Sequence, residues 1–373
     1  MIRLDVIVVG SGPAGIGVSA MLVDLGVKRM VVLEKGEIGD SFQKWPKEMQ
    51  LITPSFTTNF YGQIDLNSVV TGTSPAYSIR KEHPSGNEYA KYLRSVAEFC
   101  GLPVVEHTQV KKISYLGDAF RLQVGEDEEI ETRFLVWAAG EFQYPDLNVF
   151  PGADLCRHNS QVNTWKQMKG SEYFIIGGYE SGIDAAINLS NQGKKVYVLD
   201  SKARWRDRTT DPSLSLSPFT FQRLKAEIDQ NEKIDLIGRT KVREVVKRGK
   251  KYYIKVLGKS RPYVSTTKPI LASGFKSSLK LIPDLFDWHE EKSYALLNDQ
   301  DESTKTPGLF LVGPQVRHDD LIFCFIYKFR QRFGVVANAI GERLGLDTNK
   351  LEKYRNEGLY LDDLSCCGEE CDC

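Results

Sequence analysis

Apolar and polar positions along the chain switch repeatedly between short continuous runs and helical spacing. Val6-Ile7-Val8-Val9 is an apolar run that breaks at Gly10-Ser11-Gly12-Pro13-Ala14-Gly15. A helix-compatible stretch follows, then a second apolar run from Met30 to Leu33 that ends at Glu34. Short apolar runs bounded by turn residues read as buried strands, so the expected order is strand, glycine-rich turn, helix, strand, acid. Ser85-Gly86-Asn87-Glu88 opens an amphipathic helix through Phe99, with Tyr89, Tyr92, Leu93, Val96 and Ala97 on one face. Val104 to Val124 alternates as short strands and a hairpin, and Phe134 to Gly140 is a buried strand ending in small residues. The opening pattern then recurs. Tyr173-Phe174-Ile175-Ile176 is a strand, Gly177-Gly178-Tyr179-Glu180-Ser181-Gly182 a turn, Ile183 to Gln192 a helix, and Val196 to Leu199 a strand ending at Asp200. Beyond it the spacing predicts a loop over Arg204 to Ser217, a helix over Phe219 to Asp229 and a hairpin over Val242 to Val256. Pro269 to Phe275 repeats the small-residue strand end, Leu309 to Pro314 is a last strand and turn, and an apolar–basic helix is expected from Leu321 to Leu344. Gly341 and Gly345 weaken that helix near its end.

The two glycine turns carry the candidate chemistry. Gly10 allows a tight turn, Gly12 lets backbone N–H groups approach a pyrophosphate, and Gly15 lets helix and strand pack closely. The helix start, with Pro13 and Ala14, offers orphan N–H groups and a positive dipole end to phosphates. Glu34 is spaced to accept hydrogen bonds from a ribose diol. Ala139-Gly140, and likewise Gly274, would let backbone approach a bound cofactor. In the second turn Tyr179 stands where a glycine would bring the backbone closest to a phosphate. Asp200 favours an unphosphorylated ribose, whereas Ser201, Lys202, Arg204 and Arg206 directly after it suit a 2′-phosphate, which leaves NADH and NADPH both open. The aromatic- and Gly/Pro-rich stretch from Lys35 to Phe60, with Ser41, Trp45, Phe56 and Asn59, reads as a long ordered loop system. Taken singly, Trp45 and Phe56 read as core. The lone His158, His289 and His318 read as structural, and the basic run Tyr327, Lys328, Arg330, Arg332 as a solvated face.

A chain of 373 residues can bury a full core and is expected to form two domains. Lys+Arg and Asp+Glu both number 49, which gives no pull toward nucleic acid or an anionic membrane. The longest apolar stretch, Leu321 to Tyr327, is far too short to span a bilayer. The start leads directly into a strand, so no signal peptide is expected. Cys100, Cys156 and Cys324 are isolated and form no disulfide framework, which reads as a reduced, cytoplasmic protein. Cys366, Cys367, Cys371 and Cys373 crowd the C-terminus beside three acids. They suit a soft metal ion such as Zn²⁺ or Cu(I), a thiol relay of electrons, or no role at all.

Two dinucleotide folds with the second inserted in the first, paired small-residue strand ends and the late Gly313-Pro314 turn resemble the flavoproteins with two dinucleotide-binding domains. That resemblance implies an α/β fold. It has a Rossmann-like three-layer FAD-binding domain over residues 1–150 and 268–345, an inserted Rossmann-like NAD(P)H-binding domain over 151–267, and a polar linker with the cysteine tail over 346–373. It implies FAD at Gly10–Gly15, Glu34, Lys35, Ser41, Trp45, Ala139, Gly140, Gly313 and Pro314. NADPH or NADH is implied at Gly177, Tyr179, Glu180, Ser181, Gly182, Asp200, Ser201, Lys202 and Gly274. Gly39-Asp40 with Trp45-Pro46, and Thr53-Pro54-Ser55-Phe56 with Asn59, are similar to segments of flavin-containing monooxygenases and CzcO-like proteins. The implied activity is monooxygenation of a small molecule, with Asn59 as hydrogen-bond donor at the flavin. Reduction of disulfides or metal ions through the C-terminal cysteines is an alternative. So is a non-catalytic, metal-binding role beside a cation-efflux system, with a metal-handling partner at the tail. Self-association is left open.

Overall fold

The computed structural model describes residues 2–57, 64–125, 128–207, 209 and 213–365. The chain divides into two compact units. Unit 1 holds Met1–Gln43, Pro54–Glu141 and Ser277–Cys373, and unit 2 holds Lys44–Thr53 and Phe142–Lys276. The chain thus passes between units at 141/142 and 276/277, not at 150 and 267. The Lys44–Thr53 excursion, which carries Trp45, goes with unit 2.

Unit 1 is built on a seven-stranded sheet. Val104–Val105, Met30–Leu33, Ile2–Val9 and Glu128–Trp137 lie side by side and parallel. Glu128–Trp137 is long enough to pair on its other edge with two partners. Phe120–Val124 runs antiparallel along its first half and Leu309–Leu311 parallel along its second. Val6, Ile7 and Val8 are fully buried, each contributing about 1.5–3 kcal/mol on leaving water. The Pro13–Leu25 helix begins with Pro in its first turn and stops at Gly26, whose left-handed backbone returns its N–H to Leu22 and Val23 carbonyls. Ser85 and Glu88 form a capping box that starts the Gly86–Phe99 helix.

Unit 2 repeats this order on a five-stranded parallel sheet. Ile234–Ile237, Lys195–Leu199, Glu172–Ile176 and Ile270–Leu271 correspond in sequence to the first four strands of unit 1, with Arg157–His158 at the edge. A three-stranded antiparallel sheet, Val242–Arg248, Lys251–Val256 and Tyr263–Ser265, is added to it. The Pro218–Asn231 helix is capped by Ser217.

Three expectations change. The long helix from Leu321 is instead a small hairpin (Arg317–His318 with Leu321–Ile322), a short helix Ile326–Phe329, and the Phe333–Leu344 helix, which ends at left-handed Gly345. Arg330 and Arg332 are buried, not solvated. Arg330 donates to the Ile64, Asp65 and Ser68 carbonyls, and Arg332 makes a two-pronged pair with buried Asp301. Residues 346–365 are not a linker either. Leu351 and Leu359 are fully buried, Tyr354 donates to Asp24, and the Leu359 carbonyl accepts the Gly334 N–H. Among the described residues no helix is long and apolar enough to cross a membrane.

Candidate functional site

In unit 1 the sheet delivers a cradle at the C-terminal ends of its parallel strands. Gly10 has φ +103°, and a Cβ there would lie 2.6 Å from the Ala138 carbonyl oxygen. A Cβ on Gly15 would lie 1.9 Å from the Gly10 carbonyl oxygen, so both positions demand glycine. At Gly12 a Cβ would meet nothing within 4 Å among the described residues. Its backbone is ordinary (φ −75°, ψ −174°), and the space beside it is where a diphosphate fits over the helix start. Glu34 is buried and held in place. One carboxylate oxygen accepts the Ser11 N–H and hydroxyl and the other the Gly36 N–H, all at 2.8 Å. This fixed acid and open glycine fit the ribose and diphosphate of FAD.

Other expected residues gather here. The Gly313 turn (φ +103°) packs on Ala14, with Pro314 following. Gly140 accepts an N–H from Ser278, and Trp137 donates from its ring to the Ser278 hydroxyl. Ser41 lies on the short Asp40–Gln43 helix, tied to the cradle by the Gly39 N–H on the Ser11 carbonyl. Lys35 is exposed. Trp45 is not part of this unit, and Phe56 is exposed, not core. Asn59 and the tail cysteines Cys366, Cys367, Cys371 and Cys373 lie outside the described residues.

The sequence reading passed over Glu141 and Gln315. Glu141 follows Gly140 and is hydrogen-bonded by the Gln315 amide from the turn after Pro314, with Arg317 nearby. Burial pushes the Glu141 carboxyl up, against the pull of Arg317 and Gln315. The only signal for it in the sequence is its place directly after a small-residue strand end.

Unit 2 reproduces the backbone. Gly177 has φ +106°, with a Cβ placed 2.2 Å from the Ala272 carbonyl oxygen, and a Cβ on Gly182 would lie 1.9 Å from the Gly177 carbonyl oxygen. Asp200 accepts the Gly178 N–H at 2.9 Å on one oxygen and the Lys202 and Ala203 N–H groups on the other. The difference is Tyr179, which packs on the core and donates its hydroxyl toward the Ser213 and Ser215 carbonyls, 3.1 Å each. Glu180 is bound by the Ser217 N–H and the Thr220 hydroxyl, and burial raises its carboxyl. Ser181 opens the helix turn beside it, and Ser201, Lys202 and Arg206 are exposed.

The histidines are structural. His158 is fully buried, its Nε2 against the Gly274 carbonyl (3.1 Å) and its Nδ1 against Ser160. His318 pairs with Asp301, and the His289 Nδ1 accepts the N–H groups of Glu291 and Lys292. Among the described residues no group of three or more His, Cys, Asp or Glu is placed to hold a metal.

Residues 7–313 match the family described as pyridine nucleotide-disulphide oxidoreductase. The chain belongs to that family. Its flavoprotein oxidoreductases use FAD and NAD(P)H. It is similar to the uncharacterized oxidoreductase CzcO of Bacillus velezensis, 29% identical over 195 residues, which cover 50% of this chain and 52% of the relative. The chain thus spans about half the length of the curated relatives it matches. In fold it resembles the bacillithiol disulfide reductase Bdr (YpdA) of Staphylococcus aureus, with TM-score 0.73, 20% identity, and 92% and 99% of the two chains covered. It also resembles a flavin-containing monooxygenase of Stenotrophomonas maltophilia, with TM-score 0.68, 15% identity, and 92% and 100% covered.

Proposed function

We propose that this chain is an FAD-dependent oxidoreductase that draws electrons from NAD(P)H, and that its finer activity is monooxygenation of a small molecule. One observation carries the reading: two cradles of the same backbone geometry, each with an acid fixed at the end of its second strand. Bound FAD would supply two-electron chemistry, with hydride coming from the nicotinamide. The chain's part is to bind and orient. Gly10–Gly15 presents N–H groups to the FAD diphosphate, and Glu34 takes the ribose. Ala139-Gly140 and Gly313-Pro314 line the same cradle, and Ser41 borders it. In unit 2, Gly177–Gly182 and Asp200 take the corresponding parts of NAD(P)H. Lys202 and Arg206 are exposed where a 2′-phosphate would follow Asp200.

Oxygenation is favoured over disulfide reduction because Cys100, Cys156 and Cys324 form no disulfide with one another and none belongs to either glycine turn. Asn59 is the proposed hydrogen-bond donor in that chemistry. The C-terminal thiols Cys366, Cys367, Cys371 and Cys373 are the feature that favours the alternative, electron transfer to a disulfide or a soft metal ion. Rapid mixing of the reduced holoprotein with O₂ tests the choice. An absorbing species between the reduced and oxidised flavin spectra is expected. Its absence, together with disulfide turnover that disappears on deletion of 366–373, would favour the reductase.

A further inference from the structure

We infer that Arg204, stacked on Tyr179, supplies in the second cradle the diphosphate contact that bare backbone supplies in the first. The inference rests on the reading of unit 2 as the NAD(P)H site.

Gly12 and Tyr179 hold the same place in their turns. Both are the residue before the helix, and both have extended backbone (φ −75°, ψ −174° and φ −105°, ψ −164°). Tyr179 therefore sits without strain, and its side chain leaves the turn where the first cradle has open space. A diphosphate cannot approach that backbone as it approaches Gly12. The tyrosine ring is held at its far end by the hydroxyl bonds to Ser213 and Ser215 carbonyls, and the Arg204 guanidinium lies 4.9 Å from the ring centroid. A cation over an aromatic face is attracted to it, and the planar fork keeps its N–H groups available for phosphate oxygens.

The placement of Arg204 is also fixed from below. Asp200 binds the Lys202 and Ala203 N–H groups, Ala203 takes the left-handed conformation (φ +59°), and the next residue, Trp205, is buried with its indole against Gly178. These contacts anchor the Arg204–Arg206 turn beside the cradle. Arg204 itself is half-buried and makes no hydrogen bond or ion pair from its guanidinium among the described residues. The nearby acids are already engaged: Asp200 with backbone N–H groups, Glu180 with Ser217 and Thr220.

Calorimetric titration of the FAD-loaded, full-length protein with NADP⁺ and with NAD⁺ tests the assignment. Arg204→Gln should raise Kd for both nucleotides by a similar factor, roughly tenfold or more, the loss of one or two hydrogen bonds from a charged donor. Its melting temperature should match the parent's, because Arg204 has no ion pair to lose. Tyr179→Phe keeps the stacked face and should leave Kd within about twofold, a change of less than half a kcal/mol. Tyr179→Ala should weaken both nucleotides as Arg204→Gln does. Unchanged binding in Arg204→Gln overturns the assignment. So does weakening confined to NADP⁺, which would put Arg204 at the 2′-phosphate instead. If the parent binds neither nucleotide while holding FAD, the NAD(P)H reading fails and takes this inference with it.

Discussion

Gly10 and Gly177 share a left-handed backbone set against a small-residue strand end, and Gly15 and Gly182 each let a helix cross the carbonyl of the first glycine with no room for a Cβ. The cradles part company in what surrounds that backbone. Unit 1 has open space at Gly12, a serine feeding Glu34, and a Gly140 carbonyl satisfied by a backbone N–H. Unit 2 has a tyrosine in the open space, an indole packed on Gly178, and a Gly274 carbonyl facing the buried imidazole of His158. The backbone of a dinucleotide turn is thus set by two glycines and a strand end. The residue before the helix is free to vary and decides how the phosphates are held.

The sharpest way to break the comparison is to fill the crossing points. Gly15→Val and Gly182→Val each drive side-chain atoms into a backbone carbonyl, at a local cost of about 1–3 kcal/mol or more. The first should abolish FAD uptake. The second should spare FAD and abolish NADP⁺ binding, read by flavin absorbance per chain and by calorimetry. Next in size, Gly12→Tyr gives the first cradle the side chain of the second. Nothing within 4 Å opposes it, so the protein should melt as the parent does. Its Kd for FAD should rise by at least about a hundredfold, the equivalent of two charge-assisted hydrogen bonds.

Smaller effects should come from the acids. Glu34→Gln turns an amide N–H₂ toward N–H groups that need an acceptor and should cost about 1–3 kcal/mol in FAD-bound stability. Asp200→Asn should leave FAD bound and weaken NADP⁺ only. The smallest effect is a pH dependence peculiar to unit 2. Burial lowers the pKa of His158 from its ordinary 6.5. With Nε2–H donating to Gly274, Nδ1 accepts from Ser160, and a second proton would oppose that N–H. The unfolded chain therefore binds the proton more readily, and stability falls as pH drops through 6.5 and levels off below the folded-state value. The slope is at most about 1.4 kcal/mol per pH unit, and His158→Gln should flatten it in thermal melts from pH 5 to 8.

Both glycine turns, their acids and the strand ends were legible because local spacing alone encodes them. The Tyr179 departure was visible too, but not its partner. Nothing in Arg204 announces an aromatic platform 25 residues earlier in the chain. Arg330 and Arg332 look like a basic face by composition. Their burial depends on the 64–68 carbonyls and on Asp301, which only the fold brings near. The stretch after Leu344 reads as polar, yet Leu351, Tyr354 and Leu359 find the Pro13–Leu25 and Phe333–Leu344 helices through glycine surfaces at 334 and 341. Glu141 was missed because a lone acid after a strand gives no pattern.

Anaerobic titration of the purified full-length protein with NADPH and with NADH tests the two-cradle account most directly. The account predicts a chain that carries or takes up FAD, and a visible flavin band that one of the two nucleotides bleaches. A colourless protein that refuses added FAD would contradict it, and so would a flavin that neither nucleotide reduces.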